Sequence, residues 1–446
     1  MELKLNYSQD IVTLQTKYLL FKRVLNIVFS LTIDGGFDKL LMTSAINKVI
    51  ERNDCLRIRF FKKGKETLQT IDAERKIGDI PVVKFDKVSS MESFIKRFRK
   101  KPTDAFKGQV LEPIYATDPS GAEMILFKIS HLVADTYGIG VLVNDLMGVY
   151  NALKNGTELP AAPGSFEEVL RKDNEYRADE AATKKDFDFF KDYYENRHPQ
   201  HPMYCGIHGD ANDRWLKYKK KGNISLPYLF VHCDTQGYRF VIPSAITLQA
   251  QKWCEANSIT MTSFFFYTCA IAASLVNHRA PYQIPLELLN CRGTLADRRA
   301  AGTKVQSLSV YTTVDYSRSF NDNIADFFEE QSELYRHTRL SYLQIEDFQH
   351  KLWKHSMLSQ LTNFAFSFIP MATPEGVSLQ VYSNGKGALV TYMALMHDVN
   401  SNEIYVNYDV QTRMVTPEQL IEFQNLYIHV IETVLANPTA KLSDIL

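Results

Sequence analysis

One short run constrains this chain more than any other. Phe127-Lys128-Ile129-Ser130 closes an apolar, strand-like stretch, which stops at His131. Asp135 follows four residues later, and from Ile139 to Tyr150 the apolar residues recur at helical spacing. A strand must end here, turn, and give way to a helix. The unit places a histidine at the mouth of a strand. An unperturbed imidazole has a pKa of about 6.5, so it takes a proton near neutral pH. An aspartate at this spacing can hold a bend, cap the helix, or pair with a cation from elsewhere. A histidine so placed is equipped to activate an amine, hydroxyl or thiol for attack on an acyl group.

The chain has 446 residues, long for one core and comfortable for two. Lys+Arg and Asp+Glu are 51 each, which gives no basic surplus for nucleic acid. The N-terminus leads into no long apolar segment, so no signal peptide is expected. The most apolar stretch, Ser263 to Val276, is shorter than the roughly 20 residues that span a bilayer. It reads as a buried helix, and no membrane span is expected. Cys55, Cys205, Cys233, Cys254, Cys269 and Cys291 form no CxxC pair. That usage suits a reducing, cytoplasmic setting without structural disulfides.

The first third alternates strands and helices. Leu25 to Ile33 reads as a strand, Lys39 to Arg52 as a helix, and Leu56 to Phe61 with Thr67 to Ile71 as a hairpin turned near Gly64. Met91 to Lys100 reads as a basic amphipathic helix, and Asn155-Gly156 ends the helix that follows His131. Residues 1–165 form the first lobe in this reading. Residues 166–224 are a connecting helix, expected from Phe166 to Glu195, and a linker; residues 225–446 form the second lobe. The final helix, Pro417 to Leu435, carries start signals in Thr416, Pro417 and Gln419.

Four places make this chain resemble the condensation domains of nonribosomal peptide synthetases, in the chloramphenicol acetyltransferase-like superfamily. Arg52-Asn53-Asp54-Cys55-Leu56-Arg57-Ile58-Arg59-Phe60 is similar to the family's RHxxLRTxF stretch. Ser130-His131-Leu132-Val133-Ala134-Asp135-Thr136 is similar to its HHxxxDG core, with Ser130 for the first histidine and Thr136 for the glycine. Asn290-Cys291-Arg292 matches an Asn-Arg region, and Ser367-Phe368-Ile369-Pro370 is similar to a Ser-x-x-Pro of chloramphenicol acetyltransferases.

The resemblance implies an α/β fold of two such lobes in a V, with an active-site tunnel at their interface. It implies an acyltransferase that moves an acyl group from a phosphopantetheine thioester, on a carrier protein or coenzyme A, to an amine or hydroxyl, amide formation first. His131 would take a proton from the acceptor or hydrogen-bond and orient it, Ser367 could donate to the oxyanion, and Asp135 would pair structurally with Arg292 from the second lobe. Ser130, Thr136 and Gly138 would border the substrate channel. No tightly bound cofactor and no metal are expected. An acyl or peptidyl carrier protein and a small amine or alcohol acceptor are the expected partners. The chain ends at Asp444-Ile445-Leu446, so a stand-alone enzyme is expected.

Plainer readings stand beside these. His131 can be a core histidine, Asp135 a helix cap, Ser367 a locally bonded strand hydroxyl and Arg292 a surface residue. The whole chain can be a catalytically inactive condensation-like module that binds a carrier protein or partner enzyme; Thr136 in place of glycine favours that reading. An epimerase-like relative is a third, and it needs a further acidic partner. His198, His201, Cys205 and His208 have ligand chemistry, but Pro199 and Pro202 stiffen the segment and a connector loop is expected. Lys96 to Lys101 and Tyr218 to Lys221 can dock an acidic carrier protein or be solvated charge. Phe264-Phe265-Phe266-Tyr267 can be core or can line an acyl tunnel.

Overall fold

The computed structural model describes residues 2–18, 26–199, 206–208, 233–278, 283–288, 292–356, 361, 364–387 and 389–446; for 15–18 and 283–288 it describes the backbone only. Two compact units result. Unit 1 is Met1–Glu180 with Arg292–Val305 and Met371–Asn384; unit 2 is Ala181–Cys291, Gln306–Pro370 and Gly385–Leu446. Neither unit is one continuous stretch of chain.

Unit 1 is built on a five-stranded sheet in the order Val377–Tyr382, Asn26–Ile33, Glu123–Ser130, Leu111–Thr117, Val82–Lys84. Pairing is antiparallel except at Val82–Lys84, which runs parallel to its neighbour. Side chains alternate across the sheet. Ile125, Phe127 and Ile129 share one core with the buried faces of the helices Lys39–Arg52 and Thr136–Asn155. Phe127 stacks on Phe29 directly opposite it, with centroids 5.1 Å apart. Met124 and Leu126 face the other way, toward the helix Val88–Lys100. Lys128 shares that face. Its ammonium is buried, paired with Glu112 at 2.8 Å and placed 4.3 Å from the Phe98 ring centroid. The predicted hairpin is present as Ile58–Lys63 and Glu66–Ile71, with Gly64 at φ +64°.

Unit 2 holds a six-stranded sheet in the order Leu308–Thr313, Gln283–Leu288, Phe364–Met371, Thr391–Asp398, Glu403–Gln411, Thr235–Ile242. The helix Met261–Val276 is buried through most of its length. Phe264, Phe265, Phe266 and Tyr267 have no exposed surface. Phe265 stacks on Phe368 and Phe266 on Phe327. These four aromatics are therefore core, which decides between the two readings of the sequence. The last helix, Pro417–Ala436, opens with the expected capping box from Thr416 and Gln419.

The expected single helix after residue 165 is instead two helices, Phe166–Ala178 and Glu180–Asp192. Asp179 has extended backbone between them and breaks the ladder. No single helix among the described residues is long and apolar enough to cross a membrane. The bent pair Ser244–Asn257 and Met261–Val276 is apolar enough together, and its second helix supplies core residues of unit 2.

Candidate active site

The strand Glu123–Ser130 ends in a turn fixed by its own last carbonyl. Ser130 O accepts from the amides of Val133, at 3.1 Å, and Ala134, at 3.3 Å. Ser130 Oγ accepts from the Leu132 amide at 3.3 Å and is buried. Asp135 then caps the helix Thr136–Asn155, accepting from the Gly138 amide at 2.7 Å. Gly156, in the left-handed region, closes that helix.

Asp135 does more than cap. Arg292 Nη2 donates to both of its carboxylate oxygens, at 2.7 and 2.8 Å, and the Lys304 amide donates to Oδ2 at 2.7 Å. Arg292 also donates to the carbonyls of Asp297, Ala300 and Gly302, and its guanidinium lies 4.8 Å from the Tyr137 ring centroid. Both partners are buried. The expected pair is present, but the segment that carries Arg292 belongs to unit 1, the unit of Asp135. Asn290 and Cys291 lie outside the described residues.

The same segment explains Gly138. A Cβ at this position would lie 2.0 Å from the Ala301 carbonyl oxygen. Gly138 is thus a buried close-packing position rather than an open channel wall. Thr136 begins the helix and is not among the residues with positive φ, so a threonine costs the backbone nothing there. Gly138→Ala is expected to destabilise the protein by about 1–3 kcal/mol or more, because backbone must move aside. Chemical denaturation followed by circular dichroism checks this, with Thr136→Gly as a comparison expected to leave packing intact.

The Arg52–Phe60 stretch is a structural hub of unit 1. Arg52 pairs with the buried Asp145 at 2.9 Å, and Asn53 Nδ2 donates to the same carboxylate at 2.8 Å. Asp54 accepts from the amides of Phe166 and Glu167, tying down the start of the helix Phe166–Ala178.

His131 differs from these polar groups in that its ordinary pKa lies near neutral pH. The residue is partly exposed, yet its Nδ1 is buried and has no hydrogen-bond partner among the described residues. Burial holds its pKa below the ordinary histidine value. The charge of Asp135 and the nearby backbone of His131 and Ala134 oppose that shift and do not overcome it. That shift favours the neutral ring, and Asp135 is committed to Arg292, Lys304 and Gly138.

Ser367 belongs to unit 2, on the strand Phe364–Met371, and is fully buried. The Tyr392 hydroxyl donates to its Oγ at 3.2 Å. Of the histidine–cysteine cluster, His201 and Cys205 lie outside the described residues, and His198 Nε2 lies 2.8 Å from Glu330 Oε1. Tyr218 to Lys221 also lie outside them.

A family model described as the condensation domain matches residues 4–446. The chain belongs to the condensation-domain family. A plipastatin synthase of Bacillus subtilis (strain 168) is 21% identical over 432 residues, covering 95% of this chain and 16% of that protein. A surfactin synthase of the same organism is 20% identical over 422 residues, covering 92% of this chain and 11% of that protein. The chain thus spans a small part of either relative. Among solved structures, a variant of the starter condensation domain of rhizomide synthetase, in complex with C8-CoA, superposes with a TM-score of 0.80. It is 16% identical, and 100% of this chain and 97% of that one are covered. The first condensation domain of the calcium-dependent antibiotic synthetase, with a substrate analogue, gives 0.78 at 15% identity and 100% coverage of both chains. The fold is that of condensation domains, with two chloramphenicol acetyltransferase-like lobes. Condensation domains are acyltransferases that form amide bonds. Within this condensation domain, the turn that carries His131 is the candidate active site.

Proposed function

We propose that this condensation domain transfers an acyl group from a phosphopantetheine thioester, on a carrier protein or coenzyme A, to an amine. A hydroxyl is the second acceptor. The observation that carries the reading is His131: an imidazole whose burial favours the neutral form, with a ring nitrogen unpartnered among the described residues, beside an aspartate already committed to structure. The acceptor amine attacks the thioester carbonyl carbon, and the carbonyl electron pair moves to oxygen. His131 takes the proton that the amine must lose. When the tetrahedral intermediate collapses, the C–S bond breaks and the thiolate leaves, to be protonated to the thiol. No metal and no tightly bound cofactor enter this scheme, because the thioester itself supplies the activation. The starter domain of rhizomide synthetase was crystallised with C8-CoA, which supports a pantetheine-linked donor here.

Ser367 is proposed as a donor to the developing oxyanion. Ser367→Ala then lowers kcat by about 100-fold or more; a serine bonded only within its strand loses far less. Lys96, Arg97, Lys100 and Lys101 are exposed on or beside the helix Val88–Lys100 and are proposed to meet an acidic carrier protein. The test of the reading is a donor and acceptor panel. Acyl-pantetheine, acyl-CoA and acyl-carrier donors are offered with amines and alcohols, and products are identified by mass spectrometry. Amide product supports the proposal; ester alone moves the acceptor class to alcohols; no product with any donor contradicts it.

A further inference from the structure

No group among the described residues bonds the buried Nδ1 of His131, so the aim of the ring rests on the backbone that carries it. That backbone is gripped from a second side. Gln9, on the helix Tyr7–Tyr18, donates through Nε2 to the Leu132 carbonyl at 3.1 Å, one residue beyond His131. Its other Nε2 hydrogen goes to Gln69 Oε1 at 2.8 Å. Its Oε1 accepts from the Asn6 amide at 3.0 Å and from Gln69 Nε2 at 2.9 Å. Two donors and two acceptor sites are the full capacity of an amide, and all are used. Gln9 and Gln69 have no exposed surface, so water cannot replace these bonds. Rotating the Gln9 amide by half a turn would set donor against donor, so a single orientation is specified. Gln69 Nε2 also donates to the Lys4 carbonyl. Asn6 Nδ2 donates to the Thr303 carbonyl at 3.1 Å, and the next residue, Lys304, gives its amide to Asp135. The turn from His131 to Asp135 is therefore held at Leu132 by one amide network and at Asp135 by the segment to which that network is tied.

We propose that Gln9 is a positioning residue for His131, which fixes through the Leu132 carbonyl the turn that aims the imidazole. The inference rests on the proposed role of His131 as base. Gln9→Met and Gln69→Met separate positioning from mere stability. Both keep the volume and break the reciprocal amide pair, but only the first releases Leu132. Gln9→Leu, neutral like methionine and without a hydrogen to give the Leu132 carbonyl, serves where Gln9→Met does not fold.

The readout is the titration of the His131 ring by NMR in protein carrying labelled histidine, with His131→Ala to assign the signal. In the Gln9 variants the titration is expected to move up toward the ordinary value of about 6.5, as the released turn lets water reach the ring. In Gln69→Met it stays where it is in wild type. In the transfer assay, Gln9→Met lowers kcat about 10- to 100-fold with KM nearly unchanged. An unmoved titration in the Gln9 variants, or an equal movement in Gln69→Met, overturns the inference. The titration needs no substrate, so a chain without transfer activity would sink the proposed function and leave this result readable.

Discussion

Arg292→Ala is expected to cost the fold about 3–5 kcal/mol, a loss matched or exceeded at this site only by removing its partner Asp135. The reason is the company the guanidinium keeps. It holds both oxygens of the buried Asp135 and donates to three backbone carbonyls of its own segment. Alanine removes all five bonds and leaves a carboxylate with no cation beside it. The Gly138 and Lys304 amides still reach Asp135, which limits the loss without cancelling it. Arg292→Lys keeps the charge but not the fork, and falls between wild type and alanine. Asp135→Ala removes the other partner and loses the helix cap as well. Urea denaturation followed by far-UV circular dichroism gives the numbers. A loss below about 1 kcal/mol for Arg292→Ala would mean that the pair is ornamental and that the return of this segment to unit 1 rests on packing alone.

His131→Ala is expected to leave the fold in place and lower kcat/KM by about 100- to 10,000-fold, the usual contribution of a positioned base. Among the described residues, the ring's Nδ1 has no hydrogen-bond partner that its removal would orphan. The pH dependence carries a separate signature. Burial lowers the His131 pKa, so the folded chain keeps the imidazole neutral at pH values where an unfolded chain would protonate it. Folding stability from this group is complete above about pH 6.5. It falls as the pH drops from there to the lower native value. Activity follows the same group: the acid limb of kcat/KM lies below about pH 6.5, and the profile is flat on the alkaline side until another group titrates. An acid limb at or above 6.5 would assign the proton transfer to a different residue.

What could be read from the sequence was local. The strand, the turn at His131 and the cap at Asp135 each depend on residues within a few positions of one another, and all are present. The hairpin at Gly64 and the capping box at Thr416 are of the same kind. The pairing of Asp135 with Arg292 spans 157 positions, and only the family resemblance suggested it. No local pattern announces that Arg292–Val305 and Val377–Tyr382 return to unit 1. The strand Val377–Tyr382 does carry alternating Val377, Leu379 and Val381, a signal that was there to be used. Gln9 left no trace, because a glutamine on a helix reads as surface until its partners are known. Resemblance alone places Gly138 at the substrate channel, and no local pattern announces the Ala301 carbonyl against it. The aromatic run Phe264 to Tyr267 was ambiguous because a helix that is apolar on every side has no face to read.

The measurement that bears most directly on the account is acyl transfer by wild type and His131→Ala side by side. Both receive the same acyl-pantetheine, acyl-CoA and acyl-carrier donors with the same amines, and product is counted by mass spectrometry. Circular dichroism confirms that both proteins are folded. The account predicts amide product from wild type and at least about a 100-fold loss in the variant. Equal product from both proteins would contradict it, as would a wild type that binds a carrier protein yet transfers nothing.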